Sequence, residues 1–373
     1  MRRPASLIVD LASKHDCAKL AVMVDTRRSF LRSSLALAST VGPAAATTGS
    51  TYGMGIGTAA YMQRGRADQK VERSQRFTET LRFLEHCNSM GAAGIQAPLS
   101  ELSDDYAGRV RAKSEEYGMY VEVSARLPKN DSDELDVFER TVRATKAAGG
   151  SVIRTVMLGG RRYETFKTLE DWKEFARVSW RSLSRAEPIL RRHQVRLALE
   201  NHKDWRIDEM LRILKRIESE WVGITVDTGN NMSLLEDPLD TVQAFAPYAT
   251  SVHLKDMGVE AYEDGFLLAE VPFGTGCLDM AAVVETIRSA RPEVRFTLEM
   301  ITRDALKIPC LREHYWITMG RVPGADLAAS LSTVQSHGRP LPLIDQLDEK
   351  ERFKIEENNN RACLEYAKAK LEL

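Results

Sequence analysis

The sequence predicts an α/β protein, a (β/α)8 TIM barrel with a C-terminal helical extension. Three observations carry this. Short β-rich apolar runs alternate strictly with amphipathic stretches at helical spacing. The runs number eight. Eight strand–helix units in about 250 residues match the size of a closed barrel. Strict alternation implies a parallel sheet covered by helices. A doubly wound open sheet is the rival, and it lacks its Gly-rich phosphate turn. Gly53-x-Gly55-x-Gly57 lies within the first strand and does not have the GxGxxG spacing.

In order, the strand runs are Tyr52–Ile56, Gly94–Pro98, Met119–Ser124, Val152–Met157, Arg196–Glu200, Gly223–Val226, Thr250–Leu254 and Arg295–Glu299. The helical stretches are Val71–Cys87, Ser132–Ala148, Leu169–Arg192, Ile207–Ile217, Leu239–Phe245 and Met280–Ala290. Phe77, Leu81 and Leu84 set the period of the first, and glycines such as Gly91 and Gly149 stand where helices should stop. The seventh connection, Met257–Leu278, is long and Gly-rich and is expected over the active-site mouth. After Glu299 the pattern turns helical and ends in a charged helix near Leu347–Leu371. Residues from about 300 to 373 are read as the last barrel helix plus an extension packed outside.

Composition narrows the function classes. The chain has 373 residues, 43% hydrophobic and 28% charged, with a net charge of −1. A nucleic-acid partner would need a basic face, and none is expected. No run of about 18 apolar residues is present, so no membrane span is expected. The five Cys are scattered without a CxxC pair, which reads as buried free thiols.

The first 46 residues read as an address. Thr26-Arg27-Arg28-Ser29-Phe30-Leu31-Arg32 precedes an apolar stretch from Leu35, and Ala44-Ala45-Ala46 offers an A-x-A-like cleavage site. This resembles a twin-arginine export signal, which implies a periplasmic or extracellular protein that folds before it is moved. Met23 is an alternative start to Met1. Residues 1–46 are thus expected to be removed, leaving 47–373 as one barrel domain, net acidic.

Four strand runs end in a residue that can bind a metal: Glu200, Asp227, His253 and Glu299. Glu200 and Asp227 are 27 residues apart and Asp227 and His253 are 26 apart, each one strand–helix repeat. The 46 residues from His253 to Glu299 are one repeat plus the long connection. Each residue therefore occupies the C-terminal end of a barrel strand, where barrel active sites are built. One Glu at a strand end is more often a solvated loop residue or a helix cap; four in register point to a site. Three carboxylates and an imidazole suit one Mn²⁺, Mg²⁺, Co²⁺ or Zn²⁺.

The segments Leu199-Glu200-Asn201-His202, Val226-Asp227-Thr228-Gly229-Asn230, Val252-His253-Leu254-Lys255-Asp256 and Pro272-Phe273-Gly274-x-Gly276 resemble the xylose-isomerase-like barrel superfamily over about residues 50–300. That group includes sugar isomerases and epimerases, inosose dehydratases and the endonuclease IV group. The resemblance implies that Glu200, Asp227, His253 and Glu299 bind the metal, and that Glu200 and Glu299 flank a bound keto sugar. Endonuclease IV needs further His ligands and a basic surface, which this acidic chain with six His beyond residue 46 does not offer. Asn230 stands where many epimerases have His.

The expected chemistry is proton abstraction beside a metal-bound carbonyl, with Glu200 and Glu299 as acid and base. His202, at the barrel mouth, is a further base or a hydroxyl ligand. Asn230, Lys255 and Arg154 are read as substrate-binding positions, although Arg154 is also expected to pair with a carboxylate such as Glu122. Trp205 and Tyr163 are aromatic candidates for stacking on a sugar. No Arg/Lys cluster is apparent, which disfavours a sugar phosphate. The first functional reading is a keto-sugar isomerase or epimerase. The alternative is a metal-dependent lyase eliminating across a 3-keto-glycoside or inosose, which export favours somewhat. A non-enzymatic carbohydrate-binding barrel would be expected to lack a ligand. The partner expected is a small carbohydrate, and the fold is compatible with a homo-oligomer.

Overall fold

A computed structural model describes residues 53–129 and 132–373. The expected export signal at 1–46, with Arg27 and Arg28, lies outside the described residues. The described part begins with strand β1 (Met54–Gly57), the short helix α1 (Met62–Ala67) and α2 (Thr80–Ser89). Then come β2 (Gly94–Ala97), α3 (Asp104–Tyr117), β3 (Tyr120–Ser124), α4 (Ser132–Ala147) and β4 (Val152–Thr155). The one-turn α5 (Arg162–Thr165) precedes α6 (Leu169–His193), β5 (Arg196–Glu200), α7 (Ile207–Ile217) and β6 (Val222–Asp227). These are followed by α8 (Pro238–Phe245), β7 (Ala249–Leu254), β8 (Asp256–Tyr262), β9 (Gly265–Val271), α9 (Met280–Ala290) and β10 (Phe296–Leu298). The chain ends with β11 (Leu306–Ile308), α10 (Gly324–His337) and α11 (Glu349–Lys370).

Eight strands close a parallel barrel in the order β1-β10-β7-β6-β5-β4-β3-β2. They match the eight sequence runs to within a few residues, and the (β/α)8 barrel stands. Side chains in a strand alternate between faces. Ile95 and Ala97, Val121 and Val123, Leu197 and Leu199, Val252 and Leu254, and Phe296 and Leu298 join the hydrophobic core between strands and helices. Their neighbours Gln96, Glu122, Glu200, His253 and Glu299 therefore point into the barrel. Toward the barrel's other end Tyr120 donates to the carbonyl of Phe296 at 2.8 Å. A Cβ on Gly94 would lie within 2.5 Å of three ring atoms of Tyr120, so only glycine fits there.

The structure departs from the sequence reading in three places. Val71–Glu79 is not the start of a helix. Asp68 takes the backbone N–H groups of Phe77 and Thr78, both at 2.8 Å, and holds that stretch as a loop until Glu79 caps α2. Helix α3 was not expected. The seventh connection is a β-hairpin, β8–β9, that pairs with β11 in a separate antiparallel sheet over which α10 packs. The charged C-terminal helix α11 packs against the barrel: Cys363, Ala367 and Leu371 belong to the main core. The added material thus lies in two places, between β7 and α9 and between β10 and α11.

Cys87, Cys310 and Cys363 are buried free thiols and Cys277 is half-buried. Among the described residues no helix is long and apolar enough to cross a membrane.

Candidate metal centre

Glu200, Asp227, His253 and Glu299 meet at the C-terminal end of the barrel, with ligand atoms all within 4.8 Å of one another. All four are buried. Reciprocal backbone locks place them. Asn201 accepts the Asp227 N–H and donates to the Asp227 carbonyl, both at 2.8 Å, fixing the end of β6 to that of β5. Thr228 does the same for Lys255, donating to its carbonyl at 2.9 Å and accepting its N–H at 3.1 Å. Asp256 takes the N–H groups of Gly274 and Gly276 at 2.9 and 2.8 Å, so the Pro272–Gly276 motif is a folding device that turns the hairpin back. A Cβ on Gly276 would lie 2.0 Å from the Asp256 carboxylate.

The imidazole is oriented from behind. His253 Nε2–H donates to Gln96 Oε1 at 2.6 Å, and the Gln96 amide nitrogen donates to Glu122 at 2.9 Å. That chain turns Nδ1 toward the acids, 3.3 Å from both Glu200 Oε2 and Glu299 Oε1, where it has no hydrogen-bond partner. A histidine held this way by its other nitrogen is built as a ligand. Asp227 Oδ1 accepts the N–H groups of Gly229 and Asn230 at 3.0 and 2.8 Å, which leaves Oδ2 facing the centre.

The acids are charged unequally. Burial would raise all three. Arg154 and His253 outweigh it at Glu200 and hold that carboxyl below its usual range. His253 and Lys255 hold Glu299 well below. Burial, with Glu299 and Glu200 nearby, pushes Asp227 up against the pull of Lys255. A set of three crowded carboxylates with one orphaned imidazole nitrogen fits a divalent cation bound by oxygen and nitrogen donors.

The other expected residues divide. Arg154 Nε donates to Glu200 Oε2 at 2.5 Å, so its carboxylate partner is Glu200 and not Glu122. The two Arg–Glu side chains share the C-terminal mouth, whereas Glu122 is engaged by Gln96 and Ser251. Lys255 is fully buried among the acids, with Nζ 2.5 Å from Glu299 Oε2 and 2.7 Å from Asp227 Oδ2. Asn230 Nδ2 donates to Glu200 Oε1 at 3.1 Å. His202 makes no hydrogen bond through Nδ1. Burial, then Lys203, disfavours its charged form and brings its pKa to about 3, so it is a neutral imidazole. Trp205 and Tyr163 do not present free faces: Trp205 packs on Trp172, centroids 4.7 Å apart, and Tyr163 on Tyr315 at 5.2 Å.

Sequence reasoning missed Gln96, Lys203, Glu270 and Arg303. Lys203 is buried and donates to Asn230 Oδ1. Arg303 pairs with Glu270 at 2.7 Å, and Glu270 lies 3.8 Å from Lys255. The expectation that no Arg/Lys cluster exists is thereby overturned. The cluster of Arg154, Lys203, Lys255 and Arg303 is assembled from four separate segments. Of the missed residues only Gln96, a polar residue in the middle of its apolar strand run, and Lys203, three residues after Glu200, carried a local signal.

The profile of the xylose isomerase-like TIM barrel family matches residues 84–318. The chain belongs to that family. Among characterised proteins it is similar to a 3-oxo-isoapionate decarboxylase of Pectobacterium atrosepticum, 30% identical over 103 residues, which is 27% of this chain and 38% of the decarboxylase. It is also similar to a putative L-ribulose-5-phosphate 3-epimerase, SgbU, of Escherichia coli, 25% identical over 219 residues, 53% of this chain and 71% of the epimerase. The first likeness therefore spans well under half of that relative. A xylose isomerase-like TIM barrel protein from Mycobacterium smegmatis, solved in complex with magnesium, superposes with a TM-score of 0.53 at 15% identity. The match covers 76% of this chain and 99% of that protein, and it is a likeness of fold.

Proposed function

We propose that this chain is a metal-dependent sugar isomerase or epimerase acting on a keto sugar. The observation that carries the reading is the pair Glu200 and Glu299, each kept anionic by its own cation, on either side of His253 Nδ1. Glu200, Asp227, His253 and Glu299 would hold the ion. When bound, a divalent ion supplies Lewis acidity for charge growing on a substrate carbonyl. The protein's own residues do the rest. A carboxylate held ionised in a dry site takes a proton from the carbon beside that carbonyl. In isomerisation the same carboxyl, now protonated, returns it to the neighbouring carbon, whereas in epimerisation the opposed carboxylate must first take up a proton from solvent to deliver it to the other face. One acting residue gives isomerisation and two give epimerisation. Arg154 and Lys255 keep the two acids ionised between turnovers. Asn230 and Lys255 line the same space and can hold substrate oxygens. His202, neutral, is suited to a hydroxyl.

The epimerase relative supports the first reading. The decarboxylase relative is the observation that keeps a lyase in view, because elimination across a 3-keto-glycoside or inosose begins with the same proton abstraction. Export by the twin-arginine route belongs to the proposal and rests on Arg27 and Arg28.

The test is proton NMR in D₂O with Mn²⁺-loaded protein and a panel of ketohexoses and 3-keto-glycosides. Deuterium entering the carbon next to the carbonyl, with sugar conserved, is the expected result. Released aglycone or dehydrated product would move the assignment to the lyase. A panel with neither sinks both.

A further inference from the structure

We propose that the substrate of this centre bears a carboxylate, bound by the ammonium of Lys203. The inference rests on the metal-centre reading above and names the class of sugar that centre takes: a keto sugar acid rather than a neutral ketose.

The argument begins with charge. Four buried acids surround the centre: Glu200, Asp227, Glu270 and Glu299. Four cations face them: Arg154, Lys203, Lys255 and Arg303. Arg154 is paired with Glu200, Lys255 with Asp227 and Glu299, and Arg303 with Glu270. Within this set the formal charges cancel before a divalent ion enters and leave an excess of two with it. Glu122 and Asp204, also buried, stand outside the set and are pushed toward their neutral forms by burial. An enolate developing from a neutral ketose answers only one of these. Uncompensated charge in a buried site is costly, so a second negative charge from the substrate completes the balance.

Lys203 is where that charge belongs. Its residue is 3% exposed, and an ammonium has three donors. Its one hydrogen bond in the structure goes to Asn230 Oδ1, a neutral amide. Among the described residues it has no carboxylate partner. The adjacent Asp204 does not serve, since its oxygens accept the backbone N–H groups of Trp205 and Leu158. Asn230, in turn, holds Glu200 Oε1, so the spare donors of Lys203 lie one side chain from a ligand of the centre. A sugar engaged there is within reach of them. Burial, then Lys255 and Arg303, brings the Lys203 pKa down to about 8, as expected of a cation lacking its counter-ion.

The experiment measures binding and not turnover. Isothermal titration of the Mn²⁺-loaded full chain is compared for 2-keto-D-gluconate, D-fructose and D-fructose 6-phosphate. The wild type should bind the keto acid about ten-fold or more tightly than fructose, the worth of a hydrogen bond to a charged group. Lys203→Met should bring the two ligands to within about two-fold, with the keto acid losing far more affinity than fructose, and Lys203→Arg should restore part of the preference. Circular dichroism melting confirms that each variant is folded. Equal wild-type affinity for keto acid and fructose overturns the proposal, as does a Lys203→Met variant that weakens both equally. A Lys203-dependent preference for the phosphate over the keto acid overturns the carboxylate assignment. Lys203-dependent acid binding without carbon-bound deuterium exchange refutes the isomerase reading and leaves this one standing.

Discussion

Three acidic side chains share one centre, yet their surroundings give them different tasks. Asp227 commits Oδ1 to two backbone N–H groups and has Lys255 beside Oδ2. It is locked and suited to ligation. Glu299 is held by Lys255 through Oε2 alone, which leaves Oε1 facing His253. Glu299→Gln keeps an oxygen for the ion but removes the proton acceptor. Its exchange rate should fall about 10²–10⁴-fold, the usual loss with a general base. Metal content, read by elemental analysis, should fall far less, because three other ligands remain. Asp227→Asn is the contrast. Its amide nitrogen would face the Lys255 ammonium, donor against donor, so metal and activity should be lost together. A Glu299→Gln protein with near-wild-type exchange would reduce Glu299 to a ligand and bring His202 forward as base.

At the scale of elements, what the sequence made legible depended on whether a signal was local. The strands that end in Glu200, Asp227, His253 and Glu299 were readable because parity sends the neighbouring aliphatic residues outward. Helix α3 was missed because its buried face is Tyr106, Ala107, Val110 and Ser114, with one aliphatic residue larger than alanine; Ser103 as its cap and Gly118 after it were the usable clues. The β8–β9 hairpin reads as a loop because its partner, β11, comes 35 residues after the end of β9. Helix α11, read as a charged helix near its observed place, attaches through polar side chains as well as through its core residues. Glu356 accepts the N–H groups of Gln63 and Arg64 at 2.6 and 3.3 Å, and Asn360 donates to the Ala60 carbonyl at 2.9 Å. Burial pushes the Glu356 carboxyl up to about 7. The folded chain therefore holds a proton that the unfolded chain releases above the ordinary carboxylate range. That contribution is present at low pH and is lost as pH rises to about 7. Glu356→Gln, fixed in the neutral form, should lose less Tm than wild type between pH 5 and 7.5 in parallel melts. Identical pH slopes would show that Glu356 is ionised throughout.

For the whole molecule, the centre joins four strands that are contiguous in the closed barrel, β10, β7, β6 and β5. An ion bound there ties together chain segments a hundred residues apart only in the folded state, so it must stabilise the fold by mass action. The centre also has internal cations. Arg154 and Lys255 already offset Glu200, Asp227 and Glu299. These two facts fix the size of the effect. Without Arg154 and Lys255, three crowded buried carboxylates would leave a chelated protein close to unfolding, as in domains whose core is a metal. With them, the barrel should survive chelation and the ion should add only its binding free energy. At a free Mn²⁺ concentration of about one hundred times Kd that is roughly 2.7 kcal/mol. For a domain of this size each kcal/mol moves Tm by about 2 °C, so the expected difference between Mn²⁺ and EDTA is about 5 °C. The far-ultraviolet circular dichroism of the EDTA sample should stay native, and Asp227→Asn should show no Mn²⁺ shift. Loss of helical signal in EDTA alone would mean that the ion is part of the fold and that Arg154 and Lys255 do not compensate the acids.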